Sequence, residues 1–473
     1  MMRVAIIGGG ISGLSAAFYL QREKRRGAEV SYTLFEGTDR LGGVMFSERV
    51  DGCLVEAGPD SFLSEKQSAA VLCRDLGVED QMVGSNDAHR KTFILVKGRL
   101  VPIPDGLQFM VPTKILPTVT TPLFSLATKL RMAREYFARP AKQQSDESAA
   151  AFVERHFGPE VVDRLADPLL AGVYGGAAER LSVRAVLPRF LDMESRYGSL
   201  SRAMLAAMKK RPPESNNGAR PIFTSMKEGM QQLVEVLLAQ LDPQALRAGT
   251  RVRALGREGG QWLALGPGDI AEKFDHVVLA VPAYLAGGLL RSVHPQLAGM
   301  LGHISYSSSV TVALGYAAEA YDGHCGGQPG DGFGFLVPRS EQRRVLACTF
   351  VHNKFPHRAP EDRRLLRVFL GGARDESVLV LSDEEIVRGV RQDLRAILGV
   401  TAEPRFVRVY RWNRAMAQYE VGHLERVAEI ERLRAEVPGL SLIGNAYRGI
   451  GVPDCIRSGM DAALEIVQGR SRQ

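Results

Sequence analysis

The sequence predicts a multidomain α/β protein with a Rossmann-like dinucleotide-binding domain, a second domain built on a mixed sheet, and a helical insertion. Three observations carry this expectation. The chain opens with RVAIIGGGISGLSAAFYL and continues into VSYTLFE, so that strand, glycine turn, amphipathic helix and strand form one βαβ unit over residues 3–36. Residues 309–380 hold several short apolar strand patterns, among them SVTVALGY, GFGFLVP, VLACTFV and LLRVFLGG. Between these regions, from SDESAAAFVERHFG to about residue 190, apolar residues recur at helical spacing behind a cap expected at Ser145 or Asp146.

A chain of 473 residues is too long for one core, and roughly two or three domains is the natural prior. Its 45% hydrophobic and 24% charged residues are those of an ordinary globular protein. Lys and Arg exceed Asp and Glu, 60 to 53, but the two signs are interleaved. That argues weakly for nucleic acid and better for anionic ligands or lipid. The five cysteines are scattered without a C-x-x-C pair, which disfavours a disulfide framework or zinc site and fits a reducing cytoplasm. No basic segment precedes a cleavable apolar one, and no stretch has the roughly 18 uncharged apolar residues of a membrane span.

In the opening turn Gly8, Gly10 and Gly13 satisfy G-x-G-x-x-G in its proper context. The first allows the tight turn, the second lets backbone N–H groups approach a pyrophosphate, and the third lets helix and strand pack closely. Glu36 ends the next strand about 20 residues on, where a carboxylate accepts from a ribose 2′-OH, which argues against a 2′-phosphate. A proline- and threonine-rich apolar stretch, VPIPDGLQFMVPTKILPTVTTPLFSLATKLRMAREYF, starts at residue 101 and cannot be a single helix before about Pro122. It carries Lys114, Lys129, Arg131 and Arg134, and suits either a surface that touches lipid or plain helical packing. RPPESNNGARP at 211–221 reads as a linker, followed by a helix around 228–240, a strand near 249–255 and a buried strand within DHVVLAVPA at 275–283. The chain closes with LSLIGNAYRGIGVPDCIRSGMDAALEIV, read as strand, glycine turn and a helix started at Pro453.

NAD and FAD share the first fingerprint. Arg40-Leu41-Gly42-Gly43 resembles the second glycine turn of the amine-oxidase-like flavoprotein superfamily, and the C-terminal helix start offers free N–H groups and a positive dipole end to a flavin. LVEAGPDSFL, LLAGVYGG, GFGFLVP, LLRVFLGGARDES, RWNRAMAQYEVGH and LIGNAYRGIGVPDCI resemble the oxygen-dependent FAD porphyrinogen oxidases of haem synthesis across nearly the whole chain. The resemblance implies a cofactor domain at 1–80, 221–290 and 421–473, and a substrate domain at 81–100, 186–220 (including the linker) and 291–420. It places a helical, membrane-associated domain with the active-site tunnel at 101–185.

It also implies non-covalent FAD, oxygen as electron acceptor, and six electrons leaving a cyclic tetrapyrrole in three rounds, each hydride passing from a methylene bridge to flavin N5 with peroxide as by-product. The cofactor contacts it carries over fall on Gly8, Gly9, Gly10, Ile11, Ser12, Gly13, Glu36, Arg40, Gly42, Gly43, Gly58, Pro59, Asp60, Val252, Ala280, Trp412, Gly444, Gly451, Val452 and Pro453. Leu336 and Phe369 would line the macrocycle and Gly172 would leave room for a pyrrole, although both large residues also suit a strand core, as do Phe333 and Phe335. Where part of the family has a propionate-binding arginine this chain has Thr92. GPDSFLSEK, CTFVHNKFPH and GVPDCI resemble instead the Gram-positive-type enzymes acting on coproporphyrinogen III, which makes Lys66 a propionate candidate, with a solvated surface lysine as its other reading.

No catalytic side chain and no metal site is expected; His352 and His357 have no ligand spacing. The implied partners are the tetrapyrrole, a peripheral membrane surface and a ferrochelatase-type acceptor of product, with no nucleic acid, and the chain is expected as monomer or homodimer. Protoporphyrinogen IX is the alternative substrate. A flavin amine oxidase would need an aromatic pair such as Trp412 and Tyr447, and a non-catalytic escort of prenylated proteins would have lost the FAD contacts that this chain retains.

Overall fold

A computed structural model describes residues 1–140, 145–210, 221–266, 271–320 and 331–470. Its N-terminal strand Met2–Ile7 lies at the centre of a five-stranded parallel sheet, between Val30–Phe35 and His276–Leu279, with Leu246–Arg247 and Leu440–Leu442 at the edges. Both faces are covered, which is why AII and VVL read as unbroken apolar runs. Alternation sends Val4 and Ile6 to one core and Ala5 and Ile7 to the other. The first core is roofed by the helices Ile11–Arg25 and Val452–Arg470, which cross so closely that a Cβ on Gly459 would stand 2.3 Å from the Ser12 carbonyl oxygen. The second is closed by Trp262, by the helices Ala283–Leu290 and Pro295–Gly302, and by a three-stranded antiparallel sheet, Ala254–Glu258, Gln261–Leu265 and Ala271–Phe274. The strand expected near 249–255 begins only at Ala254, because the N–H groups of Gly249 and Thr250 are spent on the carbonyls of Thr38 and Glu36.

A seven-stranded mixed sheet runs in the order Phe406–Ala417, Tyr306–Ala317, Arg363–Gly371, Ala347–Phe350, Gly334–Leu336, Thr92–Val96 and Arg99–Pro102, with one parallel pair, Gly334–Leu336 beside Thr92–Val96. One face packs Val310, Val312, Phe335, Val368 and Leu370 against the helix Asp383–Leu398, whose start is fixed by a capping box between Ser382 and Glu385. Phe335 therefore sits in the core, and Phe333 is buried as well.

The helical part is built around Phe152, Phe157, Leu165 and Phe190. The proline-broken stretch yields two short helices, Ile115–Thr120 and Leu126–Glu135. The next helix, Ala149–Phe157, is capped by Ser148, which accepts from the Ala151 N–H, rather than by Ser145 or Asp146; Asp146 is engaged by Ser182 and by the Gly422 N–H. Residues 186–209, assigned above to the sheet domain, instead contain the helices Pro188–Tyr197 and Leu200–Lys209, and their Phe190 and Leu200 belong to the helical core. The linker at 211–220 lies outside the described residues. No helix among the described residues is long and apolar enough to cross a membrane.

Candidate active site

The opening turn is shaped by its glycines. Gly8 has φ +112°, and a Cβ on it would lie 2.4 Å from the Ala280 carbonyl oxygen, while one on Gly13 would lie 1.9 Å from that of Gly8. Gly10 differs: its φ is not positive, and a Cβ there would meet nothing within 4 Å. Packing does not require glycine at Gly10, whereas close approach of a diphosphate to the first N–H groups of the helix Ile11–Arg25 does. Ile11 and Ser12, at that helix start, are buried.

Around the turn the other predicted residues assemble. Glu36 accepts from the Gly9 N–H and the Thr38 N–H, each at 2.8 Å, which fixes its carboxylate at the rim of the loop. Buried Val252 joins the core cluster that contains Phe35, beside Glu36. The second glycine turn lies on the first: the Gly42 N–H donates to the Gly9 carbonyl at 2.8 Å, and a Cβ on Gly43 would stand 3.2 Å from the Gly10 Cα. Arg40 folds back onto the carbonyls of Met45 and Gly43, which holds this turn in shape. A Cβ on Gly58 would meet the Val44 carbonyl oxygen at 1.8 Å, so the loop through Gly58, Pro59 and Asp60 packs against the same turn, and Trp412 Nε1 donates to the Ala57 carbonyl at 3.0 Å. At the C-terminal end Gly444 has φ +119°, and the Gly451 N–H donates to Asp454 where Val452 and Pro453 open the last helix beside the first. Two glycine turns, a carboxylate and two adjacent helix starts form a continuous cradle that fits a dinucleotide of the FAD type.

The free face of the large sheet adjoins this cradle. Cross-strand partners share a face, and Val101, Ile94, Leu336, Ala347, Phe369, Thr311 and Tyr410 form one row across six strands and into the next. Thr92, Gly334, Thr349, Arg367 and Ala313 form the adjacent row. Leu336, Phe369 and Thr92 thus lie on one surface, with Trp412 opposite Ser309 on the same face. At one end of this surface Ile94 enters the helical core, with Leu336 packed against it; toward the other, Ala313 of the adjacent row packs in a small core with Val55. Phe369 stands between these contacts, only half buried. Gly172 lies in the helix Asp167–Tyr174 beside the Gly334 strand, exposed, and a methyl placed on it would meet nothing within 4 Å. Lys66 does not stand free: its Nζ donates to Asp454 Oδ2 at 2.5 Å.

Behind Gly58–Asp60 lies a group of charges that sequence reasoning did not single out. Lys354 Nζ donates to Asp60 Oδ2 at 2.9 Å, Arg358 Nη2 to Glu56 Oε1 at 2.8 Å, and Arg367 to the Gly58 carbonyl. Burial would raise the Asp60 carboxyl, but Lys354, Arg367 and Arg358 together hold it well below the usual carboxylate range. Arg367 also stacks over the Phe369 ring, 4.7 Å from its centroid. A charged residue inside the apolar strand LLRVFLGG was the available signal for Arg367. His352 and His357 are pushed down to about 4, chiefly by burial. Among the described residues no cluster of His, Cys, Asp and Glu is arranged to hold a metal.

A family model described as flavin containing amine oxidoreductase matches residues 11–467. The chain belongs to this family. Within it, this flavin oxidoreductase stands with the porphyrinogen oxidases. It is 36% identical to the coproporphyrinogen III oxidase of Bacillus subtilis, over 98% of this chain and 97% of the relative, and 31% identical to that of Staphylococcus aureus, with 98% of each covered. Protoporphyrinogen oxidase 2 of Arabidopsis thaliana is 28% identical over 98% of this chain and 93% of its own length. A crystal structure from Exiguobacterium sp. 255-15, provisionally described as a protoporphyrinogen oxidase, superposes with a TM-score of 0.85 at 31% identity, covering 99% of both chains. Putrescine oxidase, at 19% identity and a TM-score of 0.69 over 99% of both chains, shares the fold.

Proposed function

We propose that this flavin oxidoreductase oxidises coproporphyrinogen III to coproporphyrin III, with FAD as cofactor and molecular oxygen as final acceptor. The observation that carries this reading is the half-buried pair Leu336 and Phe369 on one sheet face, beside the helix that bears Gly172 and bordered by the cradle, in a chain similar over its whole length to proteins named for this substrate. The cofactor contacts fall on the glycine turns, Glu36 and the Val452–Pro453 helix start. When bound, FAD supplies the two-electron acceptor, and oxygen restores it with release of hydrogen peroxide. Leu336 and Phe369 offer a flat macrocycle an apolar wall and exclude water from it. Gly172 admits a pyrrole edge that a side chain would obstruct. Trp412 holds the Ala57 carbonyl and so orients the loop that leads to Gly58. The row contains no histidine or carboxylate, and its one acidic proton, on Tyr410, is committed to Glu48; the chain positions the substrate rather than serving as its base.

Thr92 and Lys66 stand for propionate selection, with Lys66 exchanging Asp454 for a substrate carboxylate. The short helices around 115–137 give a peripheral membrane contact, from which a ferrochelatase-type partner takes the product. Anaerobic coproporphyrinogen III and protoporphyrinogen IX, compared by porphyrin fluorescence and peroxide release, test the proposal. A higher kcat/KM for coproporphyrinogen III is expected; a preference for protoporphyrinogen IX reverses the substrate assignment, and turnover of neither removes it.

A further inference from the structure

A single short loop joins two of the elements that frame the substrate face. The strand Arg363–Gly371, which carries Phe369, runs directly into Gly372, Ala373 and Arg374. The Ala373 N–H donates to the Gly175 carbonyl at 2.8 Å, at the end of the helix Asp167–Tyr174 that bears Gly172. Gly372 has φ +75°, and a Cβ on it would stand 3.0 Å from that same carbonyl oxygen, so loop and helix end meet backbone to backbone. Arg374 takes the other end of the helix: its Nη2 donates to Asp167 Oδ1 and, at 2.8 Å, to Glu179 Oε2.

The two grips differ in kind. The one at Gly175 carries no charge, whereas the one at Asp167 uses a carboxylate that is 4% exposed and also accepts from the Ala178 N–H at 3.0 Å. The charged groups facing Asp167 are Arg374 from the loop, Glu179 from the turn beyond its own helix, and Asp163 from the π-helical turn Val162–Ala166 that leads into it; Arg339 lies behind Glu179, and the neighbouring strand Gly334–Leu336 carries none. Burial, with Glu179 and Asp163 adding to it, outweighs Arg374 and the Ala178 N–H and pushes the Asp167 carboxyl up to about 6. A carboxyl raised on folding binds more protons in the folded chain than in the unfolded one, so its ionised form costs stability above about 6. The pair is thus a poor stabiliser, and what it supplies is the placement of the helix. The π-turn that precedes Asp167 is an element rare in folded chains and frequent at functional sites.

We propose that Arg374 is a positioning residue for the oxidation: through Asp167 it sets the helix that bears Gly172 against the sheet face that bears Leu336 and Phe369, and so fixes the room left for the macrocycle. This rests on the reading of Gly172, Leu336 and Phe369 as substrate residues.

Hydrogen exchange and steady-state kinetics on the FAD-loaded enzyme test it. In Arg374→Gln the amides of residues 167–178 and 372–373 should exchange about tenfold faster, with those of the cofactor cradle unchanged. Unaltered exchange overturns the inference whatever the substrate. KM for the porphyrinogen should rise about tenfold, while kcat stays within about twofold and flavin content is kept. Asp167→Asn keeps an acceptor for the Ala178 N–H without the charge and should show the same KM, which decides the matter if Arg374→Gln does not fold. In the parent, KM should climb as pH falls through about 6, and Asp167→Asn should lack this rise. Over the same fall in pH the Tm of the parent relative to Asp167→Asn should increase, because protonation relieves the buried charge; general loosening would move KM and Tm the other way about. A parent KM that is flat through this range, or an equal rise in Asp167→Asn, overturns the inference while leaving the substrate reading intact. Turnover of neither porphyrinogen by the parent removes the substrate reading and this inference with it.

Discussion

Gly10 and Gly13 are glycines for different reasons, and substitution separates them. A methyl at Gly13 must displace the Gly8 carbonyl, 1.9 Å away, so Gly13→Ala is expected to lower Tm and flavin content together. A methyl at Gly10 meets no protein atom, so Gly10→Ala should fold with a cofactor-free Tm near that of the parent and yet retain at least about tenfold less flavin, a loss of about 1.4 kcal/mol in binding. Absorbance of bound flavin per chain, set beside thermal unfolding of the apoprotein, checks both. Phe369→Ala should raise KM for the porphyrinogen about tenfold by removing apolar wall, with flavin content kept. At this scale the sequence was most readable where backbone geometry dictates the residue, as at Gly8, Gly13 and Gly42. It was least readable for Lys354, Arg358 and Arg367, whose partners Glu56 and Asp60 lie some 300 positions away and become neighbours only on folding.

Among the elements, the helix Leu126–Glu135 is tied to its neighbours by a buried polar knot. His156 lies between Glu135 Oε1 at 3.3 Å and Glu194 Oε1 at 3.2 Å, with Arg155 Nη1 also 3.2 Å from its ring. Burial and Arg155 disfavour the imidazolium, but the two carboxylates prevail and raise its pKa. Arg155 and His156 in turn bring Glu194 down to about 2 against its burial. A raised histidine contributes stability that is full below its unfolded pKa and is lost as pH rises through the folded one; the depressed Glu194 contributes above its ordinary range and loses this as pH falls toward about 2. Thermal unfolding should therefore weaken by a few degrees on the alkaline side of the histidine range. His156→Gln should flatten that limb, and an unaltered alkaline slope would assign it to other groups. Periodicity anticipated helix only from about residue 145 to about residue 190, and it could not anticipate that Phe190 and Leu200 face the helical core rather than the sheet, because an apolar stripe does not name what it packs against.

For the whole molecule, the large sheet rests one face on its own helix and lends the other to both remaining parts, Ile94 and Leu336 toward the helices and Ala313 toward the cofactor side. This leaves the helical part with a surface that the fold does not cover. Ile115 is 85% exposed and Phe137 75%, and Leu116, Val119, Leu126 and Leu130 are exposed with them. Lys129 bonds the Val119 carbonyl at 2.7 Å and so joins the two short helices that bear these residues. The apolar residues were visible in the sequence as a proline-broken stretch, but whether they faced inward was not, since no sustained period marked a buried side. Lys114, Lys129, Arg131 and Arg134 along the same stretch add an attraction for anionic headgroups. The enzyme should co-sediment with phosphatidylglycerol-containing vesicles more than with phosphatidylcholine alone, and salt should release it by screening the basic residues. Leu116→Glu with Leu130→Glu should cut vesicle binding by at least about tenfold, since burying each leucine contributes about 1.5–3 kcal/mol, while turnover of porphyrinogen in detergent-free solution stays unchanged. Equal binding by parent and double variant would move the contact elsewhere on the molecule.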